Sequence, residues 1–275
     1  DQRFKVYIGD DASLENPSAL LEKYKGQFDF MYKRFEENLG GISLVKQWER
    51  CIALTEDEEW LMILGDDDVL GENVVEEFCK NLLEIENEQI NVVRFASQIM
   101  DEITNTISKV FVNPKFENAA NFYYKRHLGL VRCSLSEHIF RKKKYLKYTF
   151  KNYPIAWHSD DYAWIQFSEK RPVFAINDAK VMVRISNKSL SGIDTNVKEK
   201  KIAESIFYMD LVEHFLNLFK RKERFEFLMN AEVCVKRQRK LYFKEWGILF
   251  LGYTRNFTVI PFFKFIRRFL ISLKP

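Results

Sequence analysis

The run Trp60-Leu61-Met62-Ile63-Leu64-Gly65-Asp66-Asp67-Asp68-Val69-Leu70 constrains this chain more than any other segment. Five apolar residues stop at one glycine and three consecutive carboxylates, and an apolar pair follows. The pattern predicts a buried strand that delivers adjacent aspartates to its C-terminal end, where an α/β sheet places its ligands. Three like charges side by side repel one another unless a metal neutralises them or water surrounds them. A polar turn after a core strand is the alternative reading, so the neighbouring segments must decide.

Those segments alternate. Val6-Tyr7-Ile8 reads as a strand ending in Gly9-Asp10-Asp11-Ala12-Ser13, and Asn16-Pro17-Ser18 starts a helix through Leu20, Leu21 and Tyr24. Phe28 to Tyr32 is a second strand, and Leu44, Val45, Trp48, Cys51, Ile52 and Leu54 recur at helical spacing. Leu61 to Leu64, a helix from about Asn73 to Ile85, and the strand Asn91 to Phe95 follow. Such alternation predicts an α/β fold, a Rossmann-like mixed, mainly parallel sheet flanked by helices.

From about 100 to 195 the order changes. Ser136 to Arg141 is strand-like, and Ser159-Asp160-Asp161-Tyr162 leads into a helix through Trp164, Ile165 and Phe167. Val173 to Ile176 and Ala179 to Ile185 read as two strands joined by an Asn177-Asp178 turn. Everything beyond Lys198 reads as helix. The expected division is a nucleotide-binding and catalytic domain over 1–195 and a helical, basic and aromatic region over 196–275.

A net charge of +4 is too small to argue for nucleic acid, but its distribution is uneven. The first hundred residues are acid-rich, and Lys and Arg crowd the segment after Lys198, which points that part toward an acidic partner such as a membrane surface. Cys51, Cys79, Cys133 and Cys234 form no close pair, so neither a zinc knuckle nor a redox pair is signalled. Free thiols fit a cytoplasmic location. Arg3 to Gly9 reads as an internal core strand rather than a leader, which raises the expectation that a piece of the fold precedes Asp1.

In a parallel sheet the C-terminal strand ends share one edge, so Asp10-Asp11 and Asp66 to Asp68 are expected to face a common crevice. That arrangement suits a nucleoside diphosphate: one carboxylate for the base or ribose, and a second cluster holding a divalent cation against the diphosphate. Carboxylates without His or Cys select hard ions, here Mg²⁺ or Mn²⁺. Helix capping is the plainer account of both Asp10-Asp11 and Asp160-Asp161. For His158 a capping or core role is the plainer one, and for Trp157 and Trp164 core packing.

Five segments then fall in a familiar order: Ile8-Gly9-Asp10-Asp11-Ala12-Ser13 with Glu37-Asn38-Leu39-Gly40-Gly41, Leu64-Gly65-Asp66-Asp67-Asp68, His138-Ile139-Phe140-Arg141-Lys142, Ser159-Asp160-Asp161-Tyr162, and Arg184-Ile185-Ser186 with Ser189 and Ser191. Over residues 4 to 192 the chain resembles an inverting family 2 glycosyltransferase of the GT-A fold. The resemblance implies that Asp11 and Asp10 bind the uracil or ribose of a nucleotide-sugar donor. It assigns Asp67, Asp68 and Asp66 to the metal-binding motif, in a register open between Asp67 alone and the Asp66/Asp68 pair; the favoured reading sets Asp67 and Asp68 nearest the ion and Asp66 as a ribose contact. Gly65 stands where an aspartate is common in that family. Asp161, beside Asp160, is implied as the catalytic base, and Arg184 as a grip on phosphate. The family's usual first strand and helix have no counterpart before Phe4.

An acceptor hydroxyl is a weak nucleophile near neutral pH, so a carboxylate must take its proton as it attacks. The leaving nucleoside diphosphate gains charge that a cation stabilises. The expected function is therefore transfer of a sugar, with inversion, from a UDP-sugar to a glycan or lipid-linked acceptor in bacterial-type surface polysaccharide synthesis. A metal-dependent phosphohydrolase or nucleotidyltransferase, and an inactive membrane scaffold, remain as alternatives.

Two apolar runs, Trp246 to Tyr253 and Phe262 to Ile271, are too short to span a bilayer and are interrupted by Arg255, Pro261 and Arg267-Arg268. Phenylalanines mixed with Lys and Arg suit the bilayer interface, at the inner face of the cell membrane. Closure of the enzyme's own core, or a homodimer contact, is the alternative.

Overall fold

In the computed structural model, which describes residues 3–187, 189, 190, 192 and 195–274, the chain opens with two parallel strands. β1 (Lys5–Asp10) pairs with β2 (Asp29–Arg34) across α1 (Ser18–Tyr24). α2 (Leu44–Ile52) follows, its Ser43 cap accepting from the Lys46 amide and its Val45 and Ile52 turned into the core. This βαβ unit forms a two-stranded sheet of its own.

The larger sheet has seven strands. β3 (Trp60–Met62), β4 (Val69–Leu70), α3 (Val74–Asn87), β5 (Val92–Asp101), β6 (Thr106–Ile107), β7 (Phe116–Asn118), α4 (Ala119–His127), β8 (His138–Arg141), α5 (Lys142–Tyr148), α6 (Ser159–Ser168) and β9 (Pro172–Ile185) succeed one another. The strand order is β3-β8-β5-β9-β4, with β6 added to β5 and β7 to β9. β5 and β9 run parallel, and the other ladders of this sheet are antiparallel.

The mixed α/β architecture expected from the sequence is present, with three differences. First, among the described residues only two ladders are parallel, because β8 and β9 return to the sheet in opposite senses. Second, the strand expected to be buried, β3, lies at the sheet edge, although Leu61 at its centre is buried. Third, Asn177-Asp178 is a bulge and not a hairpin turn. Both halves of β9 pair with the continuous β5, the register jumping from Phe95↔Ile176 to Ala96↔Lys180. Asn177 and Asn113 exchange hydrogen bonds of 2.9 and 2.7 Å, which fixes the extra residues.

The remainder is helical: α7 (Val197–Asp210), α8 (Arg221–Lys236), α9 (Phe243–Arg255) and α10 (Val259–Ser272), with a π-helical turn at Leu211–Phe215. These helices share one apolar cluster with α4 and α6, in which Tyr123, Tyr162 and Ile165 meet Phe207, Phe227 and Leu249. The 195/196 division therefore falls just before α7, and both sides contribute to a common core. α9 approaches α8 closely at Gly252, where a Cβ would lie 2.5 Å from Leu228 Cδ2. Among the described residues no helix is long and apolar enough to cross a membrane.

Candidate functional site

The triple aspartate occupies the turn that carries the chain from β3 to β4, at opposite ends of the strand order. The Asp68 amide closes this turn on the Gly65 carbonyl at 3.2 Å, and the Gly65 amide donates to Ser136 Oγ at 3.0 Å. Pairing of β4 with β9 brings Arg184 alongside. Its amide donates to Asp68 Oδ1 at 2.9 Å, its Nε donates to the Asp67 carbonyl at 2.9 Å, and its Nη1 pairs with Glu102. The sequence suggested Arg184 as a grip on phosphate, and the structure places it beside this turn; Glu102, 82 residues earlier, was not singled out.

Asp66 is exposed, whereas Asp67 and Asp68 are half-buried. Burial, and then the charges of Asp68 and Asp66, push the Asp67 carboxyl above its ordinary range. A Cβ at Gly65 would lie 3.0 Å from Asp67 Oδ1 and 3.4 Å from Asp68 Oδ2, so both carboxylates border the same small space. Three convergent carboxylates are not assembled here: among the described residues the candidate three-ligand groups lie elsewhere, at Cys133, Asp160 and Asp161 and at Asp210, Glu213 and His214. Two carboxylates nevertheless fit Mg²⁺ or Mn²⁺, which bind through one or two of them when substrate phosphates complete the shell.

The second acidic pair opens α6. Asp161 is 3% exposed, and both of its oxygens are engaged: Arg126 Nε donates to Oδ1 at 3.1 Å and His158 Nδ1 to Oδ2 at 2.7 Å. Burial opposes its ionisation, yet the Arg126 charge and the His158 hydrogen bond prevail and hold it below the usual carboxylate range. Asp160, half-buried, is pushed the other way by burial and by the Asp161 charge. His158 sits at the N-cap position with φ 70°, its ring stacked on Phe207 at 4.5 Å, so it serves Asp161 rather than the helix end. Ile155 and Ala156 also have positive φ, at 49° and 57°. Left-handed backbone is unfavourable for non-glycine residues, and most so for a β-branched one, so this approach to α6 is held by its surroundings. Arg126 and Cys133 were not singled out from sequence. Nothing in their local pattern marks them.

Asp10 and Asp11 are arranged differently. Asp10 accepts from Tyr32 Oη at 2.6 Å and the Ser13 amide at 2.8 Å and pairs with Arg34, which together hold it down to about 2. Asp11 accepts the Leu39 and Gly40 amides at 2.7 and 2.8 Å and pairs with Arg50. Both carboxylates fasten the 38–41 loop and the strand end. Neither hydrogen bond nor ion pair joins them to Asp66, Asp67 or Asp68 among the described residues, and the shared parallel edge expected for the two clusters is replaced by two separate sheets.

Short segments nevertheless tie the clusters together. Ser136 touches the acidic turn while Cys133 lies with Asp160 and Asp161, the ligand atoms of those three falling within 4.8 Å of one another. Three residue steps span at most about 11 Å. Ser43, next to the loop clamped by Asp11, donates to Asn152 Oδ1 at 2.9 Å, and the following Tyr153 amide reaches Ser159 Oγ at 3.4 Å, at the start of α6. Ser186 and Ser189, beyond Arg184, bond to each other's amides at 3.1 Å. Ser191 of the same loop and Asp1 lie outside the described residues.

This chain shares the fold of TarS. Against the crystal structure of S. aureus TarS 1–349 the TM-score is 0.57 at 11% identity, covering 91% of this chain and 72% of that one. Against the same TarS segment in complex with UDP it is 0.51 at 12% identity, covering 98% and 83%. No family model and no curated protein matches the sequence. At such identities the likeness is one of fold, and it agrees with the GT-A architecture expected above.

Proposed function

We propose that the chain is an inverting, family 2-like glycosyltransferase that takes a UDP-sugar as donor and a glycan or lipid-linked hydroxyl as acceptor. The observation that carries this reading is the acidic turn itself: Asp67 and Asp68 border one space, Asp67 is raised by burial and its acidic neighbours, and Arg184 pins the turn at the sheet end. The fold shared with a protein that has been crystallised with UDP supports the donor class.

Asp67 and Asp68, with Asp66 as an outer contact, would hold Mg²⁺ or Mn²⁺, which supplies charge stabilisation for the departing diphosphate. Arg184 keeps the turn in place through Asp67 and Asp68, and its Nη2, which no described residue bonds, is the part left for phosphate. Asp11 and Asp10 shape the nucleoside end through the loop they fasten. The Asp160-Asp161 pair takes the acceptor proton. Asp161, paired with two cationic or donor groups, stays ionised, and its charge makes Asp160 the better proton acceptor near neutral pH. Acceptor oxygen forms the new bond to the anomeric carbon as the bond to the diphosphate breaks on the opposite side, and the acceptor proton passes to Asp160.

The test is thermal stabilisation by UDP-sugars with Mn²⁺, followed by UDP release on adding acceptor glycans. Stabilisation by at least one UDP-sugar supports the assignment. UDP release that is indifferent to acceptor would replace it with hydrolysis.

A further inference from the structure

After Glu245 the chain contains no Asp or Glu, yet it carries Arg255, Lys264, Arg267, Arg268 and Lys274. Among the described residues Arg268 alone of these is paired, donating to Glu232 at 2.8 Å. α10 rests on the body of the protein by one face only. Phe265 is buried against Trp246 and Tyr253, with centroids 5.7 and 4.6 Å away, and Phe269 packs on Trp246 at 5.2 Å. Its opposite face holds Ile260, Phe263, Lys264, Arg267 and Leu270, spaced three and four residues apart and all exposed, Ile260 at 65% and Phe263 at 61%. Pro261 lies in the first turn, where it costs no hydrogen bond, so it starts this helix rather than interrupting it. α9 adds Phe243, Phe250 and Leu251 as further exposed apolar groups.

We propose that the α9–α10 hairpin docks this protein on the interface of an anionic lipid bilayer, with α10 lying in the plane of the membrane. The helix has 14 residues, about 21 Å, which suits the surface and not a crossing. Apolar side chains interleaved with unpaired cations match a surface that is negative outside and apolar beneath. The charge decides between occupants. A second copy of this chain would bring like cations face to face without a carboxylate to separate them, which opposes a dimer through this face. A nucleic acid offers no apolar layer to receive Ile260 and Phe263. The inference is independent of the transferase reading, since none of these residues contributes to the acidic turn or to α6.

The full chain should be co-sedimented with vesicles of phosphatidylcholine alone and with phosphatidylcholine containing about a third phosphatidylglycerol, at low and high salt. Binding is expected to the anionic vesicles, and to fall steeply in high salt. Each cation near such a surface contributes about five-fold, so the double variant Lys264→Gln/Arg267→Gln should bind roughly 25-fold more weakly. Phe263→Ser should weaken binding to the same vesicles, with an unchanged melting temperature as the check on folding. If Phe263→Ser fails to fold, the charge variant carries the test alone. Equal binding to neutral vesicles, no binding at all, or a soluble dimer that Phe263→Ser dissociates would overturn the proposal.

Discussion

Asp10-Asp11 and Asp66-Asp67-Asp68 look alike in sequence, each a run of aspartates after a glycine that ends an apolar strand. In the fold they are opposites. Asp10 and Asp11 meet two arginines, a tyrosine hydroxyl and three backbone amides, so their charge is consumed in holding the chain. Among the described residues Asp66 to Asp68 meet one arginine, and burial together with their mutual repulsion raises Asp67. The lesson is that an acidic cluster is read by what answers its charge. Carboxylates answered from within stabilise the fold, and those left unanswered at a sheet end are available to a ligand.

The comparison breaks if substitutions in the two clusters behave alike. The largest effect is expected at the chemistry: Asp160→Asn should lower kcat by about 10²–10³-fold with little change in melting temperature. Asp67→Asn should lose turnover to a similar degree, because it removes a proposed cation ligand, while its stability is unchanged or slightly improved as repulsion falls. In the wild type, activity should decline as pH falls, and the decline should begin above the ordinary carboxylate range because Asp160 is raised. An acid limb at an ordinary carboxylate value would remove Asp160 from the role of base.

Asp11→Asn should do the reverse, costing about 2 kcal/mol of stability through weakened amide and arginine contacts, measured by urea unfolding. Asp10, held down to about 2, adds stability that is complete above its unfolded value of 3.8 and is lost as pH falls from there toward 2. Asp10→Asn should flatten that part of the stability curve. A comparable but separate acid effect belongs to His138, fully buried and stacked on Trp164 at 4.5 Å. Burial, aided by the Arg94 charge, lowers it to about 3, so the folded chain resists protonation that the unfolded chain accepts. Stability should therefore fall by about 2 kcal/mol between pH 6.5 and 5, and His138→Phe should abolish that slope. The smallest effect is expected at Glu102→Gln, which leaves the backbone bonds of Arg184 intact and should change turnover less than ten-fold.

Much of this was legible in the sequence. The strands β1, β2, β3 and β5 and the helices α2 and α3 announce themselves through apolar periodicity, and the acid runs mark strand ends. Strand direction was not legible, because an apolar run has the same composition whichever way it enters a sheet. The Asn177-Asp178 bulge imitated a turn for the same reason: only the partner strand reveals that the ladder resumes. In the site, Asp66 to Asp68 and Arg184 could be linked through order along the chain. Arg126, Cys133, Ser136 and Glu102 could not, since nothing in their local pattern marks them and folding carries them to the acidic clusters or to Arg184 from 27 to 82 positions away. The number of partners answering Asp10 and Asp11 was equally hidden, and it is what separates the two clusters.

The most direct test is calorimetric titration of UDP into the wild-type chain and into Asp68→Asn and Asp11→Asn, each with and without Mn²⁺. The account predicts Mn²⁺-dependent binding in the wild type, loss of that dependence in Asp68→Asn, and retention of it in Asp11→Asn at temperatures where the variant is folded. Mn²⁺-dependent UDP binding that survives in Asp68→Asn and vanishes in a folded Asp11→Asn would contradict it.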